Sequence, residues 1–352
     1  MALTSSCISQ ERSIPIHIPT KYIHSTSSIA DYISEHYSSE YEKLLAIYSW
    51  VITNIHYDTD SMYAINWNMG GEAKVTEALR RKKGVCENFA AIFSDIANKA
   101  GLLSFVVDGY TKKGGNPDNS GHAWIAVRVE NQWLLCDPTW DKDSPNALNY
   151  FLVDPASLIA THMPFDPMWQ LLEYPFTHAE FLKGRSPTPN RSGYFNFKDS
   201  IKVFLQLNKV QRLEAAGRRI NPEGNTVEIL RNHAAYNKMK VAIIYEEEDR
   251  NLYNAGVASL NDAVNKFNQF VILRNDPFHS GMKHKEISNL LQDISFDILL
   301  ARNKIRRVGS VIPNEQYNTS AIDARLDDLS VKIQEQKYFV EKHFSAPSLQ
   351  QK

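Results

Sequence analysis

The sequence predicts an α+β core followed by an all-α helical bundle. Three observations carry this. Phe89, Ile92, Phe93, Ile96 and Ala100 recur at helical spacing and stop at Gly101, after which Leu103 to Tyr110, Ala123 to Val129 and Trp133 to Asp137 read as strands. Helices thus precede an antiparallel sheet instead of alternating with its strands, which is the order of an α+β fold. Beyond the stretch GRSPTPNRSG the composition shifts to helix formers, with apolar residues spaced alternately by four and three.

The elements follow in order. Residues 1–37 form a lead-in, with extended pieces broken by Pro15 and Pro19 and a short helix from Ile29 to His36. The core spans residues 38–183. It opens on a capping box at Ser39 and Glu42, which starts a helix with Leu44, Ile47, Tyr48, Val51 and Ile55 on one stripe. Residues 57–75 read as irregular, Val75 to Arg81 as a short helix, and Cys86 to Ala100 as the helix named above. Lys112 to Ser120 reads as a polar loop and Glu130-Asn131 as a tight hairpin turn. Residues 184–194 are the linker, and 195–345 the bundle. Its three seams are Tyr253 to Val271, Ile287 to Val308 and Ile322 to Ile333, which pack most simply as antiparallel helices.

The totals exclude several classes. The 352 residues carry 39 basic and 40 acidic side chains, so no global charge draws the chain to nucleic acid or an anionic membrane. No apolar run reaches the roughly 20 residues of a membrane span. The first residues, MALTSSCISQ, lack a basic segment and an apolar core, so the expected address is cytoplasmic. Were the true start upstream, Cys7 would become a lipid-attachment candidate at the cell envelope. Three cysteines without a CxxC pair fit neither a disulfide framework nor a structural zinc site.

Cys86 is then core filler or a reactive thiol. At the head of a helix its charged form is favoured by the free N–H groups and partial positive charge of the helix start. Lys82 and Lys83 add to this and Glu87 opposes it. Gly84 would let the backbone turn sharply and a substrate come close. A cysteine on an apolar helix is more often packing; the hairpin changes the odds. With Glu130-Asn131 as the turn, Trp124 faces Asp137 and His122 faces Thr139, so His122 and Asp137 are diagonal neighbours on one face. A carboxylate-oriented histidine beside a helix-start cysteine is a nucleophile, base and orienting acid. The Cys86 N–H would serve as one oxyanion donor.

GVCENFA, GHAWIAV and WLLCDPTWD, in this order, resemble the transglutaminase-like superfamily, whose fold is papain-like. The resemblance runs from about Tyr41 to Asp141 and includes YSWVITNIHYD. It implies a papain-like transglutaminase core with Cys86 as nucleophile, His122 as base and Asp137 as third member of the triad. The segment FLVDPASLIATHMPFDPMWQLL resembles the bacterial kyphoscoliosis-peptidase-like branch. Its His162 reads as structural, since His122 already supplies a base. In relatives a second oxyanion donor is often a side chain upstream of the cysteine; Trp67 is the leading candidate, with Tyr57 and Trp50 behind it. Cys136 points by alternation away from the His122 face, and Trp140 and Asp141 have no derivable chemical role.

The leading expectation is a cysteine-nucleophile acyl-transfer enzyme, with no cofactor or metal, acting on peptide or glutamine-type carboxamide bonds of a protein or peptide substrate. Its thioester would be resolved by water in a protease or amidase and by an amine in a transglutaminase. The alternative is a non-catalytic binding or scaffold protein, with a protein partner at the helical bundle. A zinc site from Cys86, His122 and Asp137 is a third reading, disfavoured because no fourth ligand is apparent.

Overall fold

The computed structural model describes residues 17–60, 71–143, 148–184, 193–220, 228–275 and 284–345. The chain divides into two compact units, Met1–Ala235 and Tyr236–Lys352. Among the described residues no helix is long and apolar enough to cross a membrane.

In the first unit, α1 (Thr26–His36) is capped by the Ser25 hydroxyl, which accepts the Ser28 N–H. The capping box at the head of α2 (Glu40–Asn54) is formed: Ser39 Oγ accepts the Glu42 N–H, and Glu42 Oε2 accepts the Ser39 N–H. Ile29 and Ile33 of α1 are buried in one core with Leu44, Ile47 and Val51 of α2, so the helix expected in a lead-in is part of the packed unit. β1 (His56–Tyr57) pairs in parallel with β2 (Lys83–Gly84), and α3 (Gly71–Arg81) lies between them in sequence. Buried Asp58 closes this connection by ion pairs to Arg81 at 2.9 Å and Lys83 at 3.0 Å.

Next comes α4 (Cys86–Lys99), whose Phe89, Ile92, Phe93 and Ile96 are completely buried. Each such side chain contributes roughly 1.5–3 kcal/mol through apolar burial, which anchors the helix carrying Cys86. Asn88 Oδ1 accepts the Val85 N–H at 3.0 Å and so caps the helix from within. A Cβ on Gly84 would lie 2.5 Å from Asn88 Cβ. The glycine therefore makes room for the capping side chain; the sequence reading had given that space to a substrate.

The main sheet comprises β3 (Leu103–Lys113), β4 (Asn116–Val129), β5 (Gln132–Cys136) and, at its edge, β6 (His162–Pro164), in the order β5-β4-β3-β6 and antiparallel throughout. Glu130 and Asn131 both have positive φ, 48° and 68°, as a two-residue type I′ hairpin requires. The pairs run from Val129 with Gln132 to Ile125 with Cys136, the register deduced from the turn. The loop expected at Lys112 to Ser120 is a second tight hairpin: Gly114 and Gly115 take φ of 58° and 81°, and Lys113 pairs with Asn116. Its polar residues hide the strand period, because a sheet end in water needs no apolar face.

One face of the sheet, with Ala123, Ile125, Val127 and Cys136, shares the core of α4. The other, with Val107, Trp124, Ala126 and Leu135, is covered by Met168, Trp169 and Leu171 and by Phe197 and Ile201. Short helices α5 (Pro138–Asp141), α6 (Pro155–Leu158) and α7 (His178–Lys183) decorate the segment beyond β5. Two longer ones, α8 (Phe197–Gln206) and α9 (Lys209–Ile220), follow. Arg219 of α9 donates to both oxygens of buried Asp166, at 2.8 and 2.6 Å. Residues 195–220, expected in the bundle, thus pack within the first unit. The expected linker falls largely on residues 185–192, which lie outside the described ones.

The second unit is built from α10 (Glu228–Asn275) beyond its boundary residue Tyr236, α11 (His284–Ile305) and α12 (Thr319–Ser345). All three seams read from the sequence converge in one core, centred on Leu260, Leu291, Ile294, Leu326 and Ile333. Lys266 meets Asp297 at 2.5 Å and Lys304 meets Ser259 at 3.0 Å, so α10 and α11 run antiparallel. Arg274 reaching Gln336 and Tyr253 stacking near Tyr317 make α10 and α12 parallel.

Candidate active site

The chain brings its candidate residues together from four places. Cys86 is the first residue of α4 and is partly exposed. His122 lies in β4, Asp137 directly follows β5, and His162 opens β6.

His122 Nε2 is 2.7 Å from Asp137 Oδ2. The ring is also in side-chain hydrogen-bond contact with Cys86; with Nε2 taken by the acid, Nδ1 is the nitrogen left for sulfur. Burial alone would lower the imidazole's pKa. It is outweighed by the Asp137 charge and hydrogen bond and by Cys86, and His122 stands at about 10.

Asp137 is completely buried. Its Oδ1 accepts the backbone N–H groups of Thr139 at 2.9 Å and Trp140 at 3.4 Å, capping α5. Burial would raise its carboxyl, but His122 and His162 hold it far below the usual carboxylate range. The acid is therefore fixed by the fold and stays ionised. Tyr48 Oη sits 2.6 Å from Asp141 Oδ2 and 3.0 Å from the Asp137 carbonyl. Asp141 Oδ2 also accepts the Leu148 and Tyr150 N–H groups, both at 2.9 Å. That gives Asp141 a place: it ties the chain after α5 back beneath the site.

The sequence reading left His162 outside the chemistry. Its side chain is fully enclosed, and Nε2 lies 3.0 Å from the same Asp137 Oδ2. Trp140 packs against both histidines, with ring centroids 4.4 Å from His162 and 6.1 Å from His122. The only available signal was a histidine inside the apolar stretch ATHMPF. Its meaning depends on β6 pairing with β3, a contact across some fifty residues that no local pattern encodes.

Other candidates resolve differently. Trp67 lies outside the described residues. Trp50 is buried in the core, and Tyr57 packs its ring 6.3 Å from that of Phe89. Cys136 is buried on the opposite face, where its sulfur accepts the Leu152 N–H at 3.3 Å and burial pushes the thiol up to about 12. It is a packing residue.

His122, Asp137 and His162 form a cluster whose ligand atoms lie within 4.8 Å of one another. Both Nε2 atoms address one carboxylate oxygen at hydrogen-bond distances, an arrangement that two N–H protons satisfy. Cys86 and Asp137 approach different nitrogens of the His122 ring, so these three do not converge on one ion. The zinc site weighed from the sequence finds no support in this donor set.

The family model described as the transglutaminase-like superfamily matches residues 27–138, from α1 to the acid at the end of β5. Through this segment the chain is similar to the transglutaminase-like superfamily. The chain is 30% identical over 169 residues to kyphoscoliosis peptidase of Mus musculus, a match covering 44% of this chain and 25% of that protein. It is 26% identical over 175 residues to Hillarin of Drosophila melanogaster, covering 41% and 20%. The chain thus spans a quarter or less of the length of these relatives. Among solved structures, the periplasmic domain of TgpA from Pseudomonas aeruginosa is 20% identical, with 37% of this chain and 49% of that chain covered at a TM-score of 0.28.

Proposed function

We propose that the protein is a cysteine-nucleophile acyl-transfer enzyme acting on peptide or glutamine-type carboxamide bonds, with Cys86, His122 and Asp137 as its triad. The observation that carries this reading is one imidazole held by a buried carboxylate on Nε2, at 2.7 Å, and by a helix-start thiol on its other side. With His122 at about 10, its ring carries a positive charge at neutral pH, beside the Cys86 sulfur.

The thiolate sulfur adds to the carbonyl carbon, and the carbonyl electron pair moves onto oxygen. The Cys86 backbone N–H, at the first position of α4 where no helical carbonyl can take it, is a donor to that oxyanion. The C–N bond then breaks as His122 gives its proton to the leaving amine, and a thioester remains on Cys86. Water, or a primary amine, attacks the thioester while His122 takes its proton. Collapse breaks the C–S bond, releases acid or new amide, and returns the Cys86 sulfur beside a protonated His122. Asp137 keeps its charge throughout, orienting His122 and offsetting the imidazolium.

The test is a peptide library incubated with the full chain, read by mass spectrometry for cleavage and for incorporation of a labelled primary amine. One product is expected from wild type and neither from Cys86→Ala. Neither product from folded wild-type protein would overturn the enzyme in favour of a binding role.

A further inference from the structure

His162 has no part in the scheme above, yet it stands at the centre of the site. Its Nδ1 is 2.8 Å from Thr161 Oγ1, and that hydroxyl is also 3.3 Å from the Leu158 carbonyl. Thr111 pairs with His162 across the strands, and the rings of Trp140, Trp124 and Tyr150 enclose it at 4.4, 5.2 and 5.8 Å.

Its protonation follows from its partners. An ionised carboxylate only accepts, so Nε2 must carry the hydrogen that faces Asp137; in a neutral ring Nδ1 is then an acceptor, which the Thr161 hydroxyl satisfies. Burial keeps His162 below its ordinary value despite Asp137, and the His122 charge acts in the same direction. The charged and titratable groups facing it are Asp137, His122 and Tyr150, while the Lys113 ammonium sits over the Trp140 ring. Those acting on His122 are Asp137, Cys86 and Asp118. The positive charge therefore stays on His122. Asp137 has donors on both oxygens: two backbone N–H groups on Oδ1 and two imidazoles on Oδ2. A carboxylate bonded on both sides cannot rotate without breaking several of these contacts.

We propose that His162 is a positioning residue, whose Nε2–H clamps Asp137 Oδ2 so that the carboxylate holds His122 with its free nitrogen toward Cys86. This rests on the acyl-transfer reading. It assigns the site a second histidine that touches neither substrate nor sulfur and acts through the acid.

The test is the rate of Cys86 alkylation by iodoacetamide against pH, read on the Cys86 peptide of the full chain, with thermal unfolding measured alongside. Wild type, His122→Ala, His162→Gln and His162→Phe are compared. Glutamine places an N–H near the Nε2 position and phenylalanine only a ring. Wild type and His162→Gln are expected to share a fast limb near neutral pH. His162→Phe should be slower by about tenfold or more at about pH 6.5, keeping only the alkaline reaction of an unassisted thiol. A His162→Phe profile that superimposes on wild type overturns the inference, as does a folded His162→Gln that loses the limb. Should His162→Phe fail to fold, Thr161→Val replaces it: the ring stays but the hydroxyl that sets its tautomer is gone. A several-fold loss is then expected, and an unchanged profile overturns the clamp. If wild type lacks the neutral limb, or His122→Ala retains it, the acyl-transfer reading itself fails; a limb that needs His122 but ignores His162 removes this inference alone.

Discussion

Asp137 caps α5 with one oxygen and receives two imidazoles on the other, so a single side chain carries both local folding and site geometry. Its pairing with His122 makes stability depend on pH in a calculable direction. A histidine raised to about 10 contributes fully below its unfolded value, about 6.5, and that contribution is lost as pH rises through about 10. A depressed carboxylate contributes above its unfolded value, about 3.9, and loses that contribution as pH falls. The difference in unfolding free energy between wild type and His122→Gln should therefore be largest between about pH 4 and 6.5, on the order of 3 kcal/mol, and shrink toward about pH 10. Urea denaturation at stepped pH measures it. A difference that stays flat from neutral to alkaline pH would contradict the ion pair.

At the scale of elements, β6 decides where His162 stands, and Gly109 decides how closely β6 approaches. A Cβ at Gly109 would lie 2.3 Å from the Met163 carbonyl oxygen and 2.3 Å from the Trp124 ring. Backbone and a buried indole cannot both yield, so Gly109→Ala should cost about 1–3 kcal/mol and displace the edge strand. Thermal unfolding and neutral-pH alkylation of Cys86 should fall together; a lowered melting point with unchanged alkylation would detach the strand from the site. The same strands show what the sequence could reveal. The hairpin at Glu130-Asn131 was legible because a two-residue turn between alternating runs fixes register, and register places His122 beside Asp137. The hairpin at Gly114-Gly115 was obscured by polar strand ends, and His162 by a pairing that is entirely non-local. Gly84 was misread because its neighbour Asn88 fills the space locally, which spacing alone does not show.

For the whole molecule, the two units have separate cores: the cluster around Leu260, Ile294 and Leu326 draws only on residues beyond Tyr236. Leu326→Ala should destabilise that unit by about 2–5 kcal/mol, seen as an earlier helical unfolding transition by circular dichroism, while alkylation of Cys86 at neutral pH keeps its wild-type rate. A matching loss of alkylation would show that the units do not behave separately. The bundle's seams were readable from periodicity, but its start was not, because α8 and α9 carry the same amphipathic period whether they face a sheet or one another. The double employment of Asp137 reaches beyond this chain. A relative without the proposed reaction would still need an acid there to begin α5, whereas the partly exposed position 86 has no cap to supply. An aspartate in a sister sequence would therefore say little about the proposed reaction, and the residue at the cysteine position would say more.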